Sequence, residues 1–399
     1  MSAVIHPRVL LVYRRHASTF VYYPAMLSRA GFRVDVLTVP GHPVHRSVHV
    51  TGKFTAPNDD TAFQAAMAQR LASTAYVAQL FIDEAARRLG YALPPDAGRD
   101  ALLPIPRANP LSEAVDDKLR FQAWCEQHSL PVARTYIADH VEAAAKHAET
   151  LGYPVVVKCS VGVGGQAVRI CSDEAALREA FTTLAMGGPV MVQEFISGPV
   201  GSLCFAAVNG NLGAWIASEK KVALLGGLGP GVVRHTRADS VLGDIAIRIA
   251  AAGQITGITG CDWMEKSPGC FVIIDPHCGR CTPPAVLGTY SDVDLGIAFR
   301  RLFDGDNRVD PPVGWGDRVA MFPQIVELIF EGRLGQLWRA APAFSKRTHY
   351  FFGPTDEWRL SLALGLNYFV SGFRVLLGGL RNRLKHAANV APERPFLTT

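Results

Sequence analysis

With 399 residues the chain is too long for one ordinary core and calls for roughly two to four packed units. Hydrophobic residues make up 49% and charged residues 19%, which excludes global disorder. The net charge of +5 comes with no Lys/Arg block of the kind that tracks a phosphate backbone, so nucleic acid is not an expected partner.

Residues 8–13 (RVLLVY) read as a buried strand, 19–30 as a helix ended by Gly31, and 34–39 as a second strand. The start lacks a basic segment followed by a long apolar stretch and a small-residue cleavage site. It is therefore expected to be a strand in a cytoplasmic protein rather than a signal peptide. An Ala-rich helix follows the polar stretch 58–60, and 76–82 (YVAQLFI) gives a third strand ending at Asp83 and Glu84. This βαβ pattern implies a small doubly wound domain, yet no G-x-G-x-x-G follows its first strand, which makes a dinucleotide site a poor expectation. His42, His45 and His49 lie in a Pro/Gly-containing turn without a carboxylate cluster and read as solvated loop residues. Five prolines between 94 and 110 mark a linker.

Beyond it, 116–128 and 141–151 read as helices, the second stopped by Gly152. A strong strand at 154–158 (PVVVK), a glycine-rich turn at 160–165 and a returning strand at 167–170 form a hairpin. Helix 173–184 and strand 190–193 complete that unit. Further strands are expected at 203–208, 214–218, 260–264 and 271–274, with helix 242–251 among them. After about Pro312 the sequence turns Leu-rich, with helices expected at 319–330 and 358–386 on either side of an aromatic patch at 350–354. Cys261, Cys270, Cys278 and Cys281 include one CxxC but no second close pair, a pattern that favours buried free thiols over zinc.

The hairpin carries the first chemical signal. Lys158 ends a buried strand just before Gly162, Gly164 and Gly165; glycines let backbone N–H groups approach phosphate oxygens, and the lysine adds a point charge. An ordinary hairpin with a glycine-rich turn has the same local pattern, so the neighbouring motifs decide. In sequence order these are Asp117-Lys118 with Phe121 and LPVAR, the Lys158 hairpin, VQEFISG at 192–198, Gly260-Cys261-Asp262, and Ile274-Asp275-Pro276-His277. Together, over roughly residues 116–283, they resemble the ATP-grasp superfamily, with an ATP-binding domain like that of carbamoyl-phosphate synthase.

The resemblance implies a set of roles. Lys118 and Lys158 would contact ATP phosphates, the Gly162, Gly164 and Gly165 turn would close over them, and Gln193, Glu194, Phe195 and Ile196 would form the hinge against adenine. Asp262 and Asp275 would hold Mg²⁺, with His277 standing where the family has an asparagine; an alternative alignment puts Ile273 where an acid belongs. After the hinge, Gly198-Pro199-Val200-Gly201 lacks the acid that family members often use for ribose. Arg280 would steady an acyl phosphate, and Lys220, beside Lys221, would contact phosphate ahead of a glycine-rich lid segment, 226–231. Arg234 and His235 either line the acceptor site or are solvated. Phosphoryl transfer asks for such a set, because the enzyme mainly positions groups and neutralises charge.

The expected fold is α/β. A Rossmann-like domain at 1–105 precedes an ATP-grasp lid at 106–190 and a metal-bearing floor at 191–312, and 313–399 forms a helical C-terminal extension. The expected function is an ATP-dependent ligase that activates a small carboxylate as an acyl phosphate and couples it to an amine. A non-catalytic ATP-binding scaffold and a kinase-like phosphotransferase are the alternatives. Carboxylase subunits share the core, but no Met-Lys-Met biotinyl turn occurs in the sequence. In the last helix Asn367, Ser371, Arg374, Gly378 and Arg381 form a narrow polar stripe, and Arg374 makes a spanning helix unattractive. Two readings stay open: packing on the body or on a second copy in a homo-oligomer, and peripheral membrane contact with Arg381, Arg383 and Lys385 at headgroups.

Overall fold

The computed structural model describes residues 6–15, 20–159, 168–185, 189–224, 229–290, 292–313, 316–322, 324–342, 344–353, 355–370 and 373. The glycine turn with Gly162, Gly164 and Gly165 lies outside them, as do the first half of segment 226–231 and the polar stripe beyond Asn367.

The first sheet holds β1 (Arg8–Tyr13), β2 (Arg33–Thr38), β3 (Gly52–Thr55) and β4 (Ala78–Phe81) in the order β3-β2-β1-β4, all parallel. Alternate residues of β1 serve two cores. Leu10 and Val12 pack with Phe63 and Met67 of helix Asp60–Ser73, while Val9, Leu11 and Tyr13 join a cluster that includes Cys204 and Ile216 of the largest sheet. Just past β4, Asp83 accepts the N–H groups of Arg14 and Arg15 at 2.9 and 3.0 Å and caps helix Glu84–Tyr91 through the Ala86 N–H. One carboxylate thus ties together the carboxyl ends of β1 and β4, the edge where open α/β sheets place ligands.

A second, antiparallel sheet holds β5 (Thr135–Ala138), β6 (Val155–Cys159), β7 (Val168–Cys171) and β8 (Val190–Glu194) in the order β5-β8-β6-β7. Helices Val141–Leu151 and Glu174–Leu184 cover one face and bury Ala144, Ala148, Leu177 and Phe181 against Val155 and Val157. Both helices run where the sequence periodicity puts them. Gly152, at φ +81°, ends the first, and Asp173 caps the second.

The third sheet is the floor. It comprises β9 (Val200–Val208), β10 (Asn211–Ala223), β11 (Gly231–Arg237), β12 (Gly257–Ser267), β13 (Cys270–Pro276), β14 (Arg318–Met321) and β15 (Thr348–Phe351), ordered β13-β12-β9-β10-β11-β14-β15. Its pairs are antiparallel except β14 with β15. Here the structure departs from the sequence pattern. The stretch expected to be one helix at 319–330 starts as β14, and its helix is Gln324–Phe330; the aromatic patch supplies β15. Short apolar runs carry too few residues for periodicity to separate strand from helix, and pairing with β11 decides.

Two further expectations change. The proline-rich stretch 94–110 is packed rather than a loose linker, with Leu103 and Ile105 buried. The histidines are not solvated: His42 is buried, His45 meets Thr38 Oγ1 at 2.9 Å, and His49 meets Asp356 at 2.8 Å. All eight cysteines are free; Cys261, Cys278 and Cys281 are buried and Cys270 is exposed. Helix 358–370 buries Leu360 and Leu364 and exposes Trp358, Leu362, Leu366 and Phe369, and among the described residues no helix is long and apolar enough to cross a membrane.

Candidate active site

Asp262 and Asp275 are register partners on β12 and β13, so their side chains rise from the same face of the floor. Asp262 is enclosed. Its carboxylate accepts from Ser202 Oγ at 2.6 Å and from Lys220 Nζ at 2.7 Å, and His277 Nε2 stands 3.4 Å away. Burial alone would raise its pKa, but Lys220 and His277 more than offset that and hold the carboxyl well below the usual range. Behind it lies Arg234, buried, which donates to Ser202 Oγ at 3.1 Å and Ser218 Oγ at 3.0 Å. The antiparallel pairing of β9, β10, β11 and β12 brings these residues together from four strands.

A second series of contacts runs to the first domain. Arg280 Nη2 stands 2.6 Å from His277 Nδ1 and 2.9 Å from Glu84 Oε1. A guanidinium only donates, so Nδ1 must accept and the imidazole proton lies on Nε2, facing Asp262. Both ring nitrogens thus face protein groups, and a metal held by His277 would have to displace Asp262 or Arg280 from one of them. Burial raises the Glu84 pKa, while Arg280 beside it carries the carboxyl below its ordinary value. Nearby, Arg87 is buried and paired with Asp116.

The second sheet brings Lys158. Its amine is buried and donates to Gln193 Oε1 at 3.1 Å, while Gln193 Nε2 donates to Thr135 Oγ1 at 2.7 Å. Burial pulls the Lys158 pKa down to about 8; Asp275 raises it and Lys118 lowers it further. Lys118, at the N-terminus of helix Lys118–Gln127, stands 3.8 Å from Asp275 Oδ1. Two lysines and one aspartate thus meet where the second sheet faces the floor. Of the expected hinge residues, Gln193 orients Lys158. The Glu194 carboxylate is engaged by the Arg134 N–H at 2.9 Å and Lys266 Nζ at 2.7 Å, Ile196 packs with Ala133 and Val272, and Phe195 is part exposed.

A cavity of about 310 Å³ opens between the first sheet and the floor, lined by Glu84, Lys118, Lys220, Arg234, Asp275 and Arg280 among others. Its walls carry more cations than acids, which suits an anionic guest. Among the described residues no three His, Cys, Asp or Glu side chains form a group that would hold a metal alone. Magnesium commonly takes one or two carboxylates and completes its shell with phosphate and water, so the ionised Asp262 and half-exposed Asp275 fit such an ion only with a phosphate-bearing ligand beside it.

The structure thus brings together Lys118, Lys158, Lys220, Asp262, Asp275 and Arg280, and Arg234, left open between lining the site and solvation, is buried in the cavity wall. Sequence reasoning did not pick out Ser202, Ser218, Gln193 as the orienter of Lys158, or Glu84 as the partner of Arg280. The one available signal was Asp83-Glu84 at the carboxyl end of a buried strand.

Residues 117–199 match the family model described as carbamoyl-phosphate synthase L chain, ATP binding domain. A curated relative from Methanopyrus kandleri, the C-terminal section of its carbamoyl phosphate synthase large subunit, is 31% identical over 91 residues, 22% of this protein and 17% of that one. The corresponding large subunit of Clostridium acetobutylicum is 28% identical over 89 residues, 22% of this protein and 8% of that one. The match therefore spans less than a fifth of the length of either relative. Among solved structures, the ADP complex of N5-carboxyaminoimidazole ribonucleotide synthetase aligns with a TM-score of 0.61 at 16% identity, covering 85% of this protein and 87% of that one. The biotin carboxylase of Campylobacter jejuni aligns at 0.59 and 14% identity, covering 74% and 71%. The L-amino acid ligase of Bacillus licheniformis aligns at 0.53 and 15% identity, covering 77% and 78%.

Proposed function

We propose that the protein, whose residues 117–199 match the carbamoyl-phosphate synthase ATP-binding domain and whose fold is that of ATP-grasp enzymes, is an ATP-dependent ligase that activates a carboxylate as an acyl phosphate and couples it to an amine. The observation that carries this reading is Asp275 beside Lys118 in the wall of a cation-rich cavity, with the buried Lys158 close enough for both to shift its pKa. The L-amino acid ligase and the carboxyaminoimidazole synthetase share this architecture and support an amine as the acceptor.

In this reading ATP lies between the second sheet and the floor, with Lys158 and Lys118 at its phosphates. Asp262 and Asp275 would hold magnesium, which neutralises phosphate charge when bound. A substrate carboxylate oxygen attacks the γ-phosphorus, the bond to the β-phosphate oxygen breaks, and ADP leaves. The amine nitrogen then attacks the acyl carbon, and phosphate departs with the carbonyl–oxygen bond pair. Arg280 and Arg234 line the cavity where the carboxylate and the tetrahedral oxyanion would develop charge, and a guanidinium grips either in bidentate fashion. Glu84 orients Arg280 from the first domain, so the acceptor side of the cavity is assembled from both domains.

The test is phosphate release from Mg²⁺-ATP across arrays of carboxylates and amines, with mass spectrometry of the product and Lys158→Ala as control. A new amide with equimolar ADP and phosphate is expected. ATP binding without turnover over a broad array favours a scaffold, and a stable phosphorylated product favours a kinase.

A further inference from the structure

We infer that the back of the floor sheet carries a second anion site, charged for a phosphate group. Successive residues of a strand face opposite ways, and β10 and β11 use both faces. Lys220 and Arg234, register partners, line the cavity described above, whereas Lys221 and His235 open on the opposite side. There they meet Arg318 of β14, the register partner of His235, together with Gln336 and Arg339 of helix Leu334–Ala340. These five side chains surround a cavity of about 400 Å³ with no carboxylate in its lining.

The charges decide the class of guest. Glu219 is the nearby acid, and it is shared by Lys221 and by Arg237 at 3.7 Å. Among the described residues Arg318 and Arg339 form no ion pair; Arg339 Nε donates only to the Gly335 carbonyl, at 3.2 Å. Two cations therefore stand uncompensated around one space. A phosphate group carries between one and two negative charges at neutral pH, about what they lack, and its several acceptor oxygens suit two guanidiniums and an amide. His235 Nε2 adds a buried atom without a hydrogen-bond partner, and burial with Lys221 and Arg318 beside it lowers the imidazole's pKa, so the ring adds no competing charge demand. The site is separate from the cleft but shares its strands: a guest at Lys221 lies one residue from Lys220, whose amine holds Asp262. This inference does not rest on the ligase reading, since no cleft residue takes part.

The experiment is equilibrium dialysis of the full-length protein against inorganic phosphate, comparing wild type with Arg318→Gln/Arg339→Gln and with Lys220→Ala. Expected is a saturable component that the double variant weakens roughly tenfold or more and that Lys220→Ala leaves in place. Arg339→Gln alone, on an exposed helix, is expected to weaken that component without altering thermal melting in phosphate-free buffer, which guards against a folding artefact. Saturable uptake unchanged in both arginine variants, or no saturable uptake by wild type up to about 10 mM phosphate, overturns the site.

Discussion

The lid and the floor hold their charges in opposite ways. In the lid, Lys158 is buried with a neutral amide as its hydrogen-bond partner, and its pKa falls to about 8. In the floor, Asp262 is equally enclosed but surrounded by Lys220, Ser202 and His277, and its carboxyl is held low. The floor is pre-organised by charge that is already compensated, while the lid keeps a cation whose cost of burial an anion would relieve. Such a division suits a site in which the lid closes on a phosphate while the floor stays fixed.

The contrast predicts opposite signs of stability on mutation. The largest effect is expected for Asp262→Asn, which strands Lys220 beside Arg234 and costs about 3–5 kcal/mol in thermal or denaturant unfolding, with turnover lost. Lys158→Met is expected to stabilise the apo protein by about 1–2 kcal/mol near pH 7 while weakening ATP binding about ten- to hundredfold. The sign follows from the direction of the shift. A lysine whose folded pKa is below its unfolded value costs stability while it is charged, and that cost fades as pH rises from about 8 toward the ordinary value of 10.5. Destabilisation by Lys158→Met would remove the distinction between the two regions.

A pH series sharpens it. If Lys158 must be cationic to meet phosphate, ATP affinity falls about tenfold per pH unit above about 8. Lys158→Arg abolishes that limb, because a guanidinium stays charged. The smallest effect is expected where lid and floor join. Glu194→Gln loosens the link from Arg134 to Lys266 and raises the KM for ATP about threefold, with little change in kcat. An unchanged KM would mean that the hinge holds without this carboxylate.

Much of the lid was legible in the sequence, because its signals are local. The helix over 141–151 with Gly152, the Asp173 cap and the run VVVK each lie within one turn or one strand. The floor was less so. Asp262 and Asp275 stand out by position, but Ser202 meets Asp262, and Arg234 meets Ser202 and Ser218, only through antiparallel register across four strands, which no local spacing encodes. Glu84 reaches Arg280 from almost two hundred residues away in sequence, through the packing of the first domain on the floor. The strands β14 and β15 were missed because short apolar runs match helix and strand alike until a neighbouring edge claims them.

In the proposed function the lid lysine and the floor aspartates serve one nucleotide. An acyl-phosphate ester of ATP that transfers its acyl group to lysines at the phosphates, followed by peptide mapping, tests it most directly. Acylation of Lys158 or Lys118 that excess ATP prevents is the expected result. ATP-protected acylation confined to other lysines, or none at all, would contradict it.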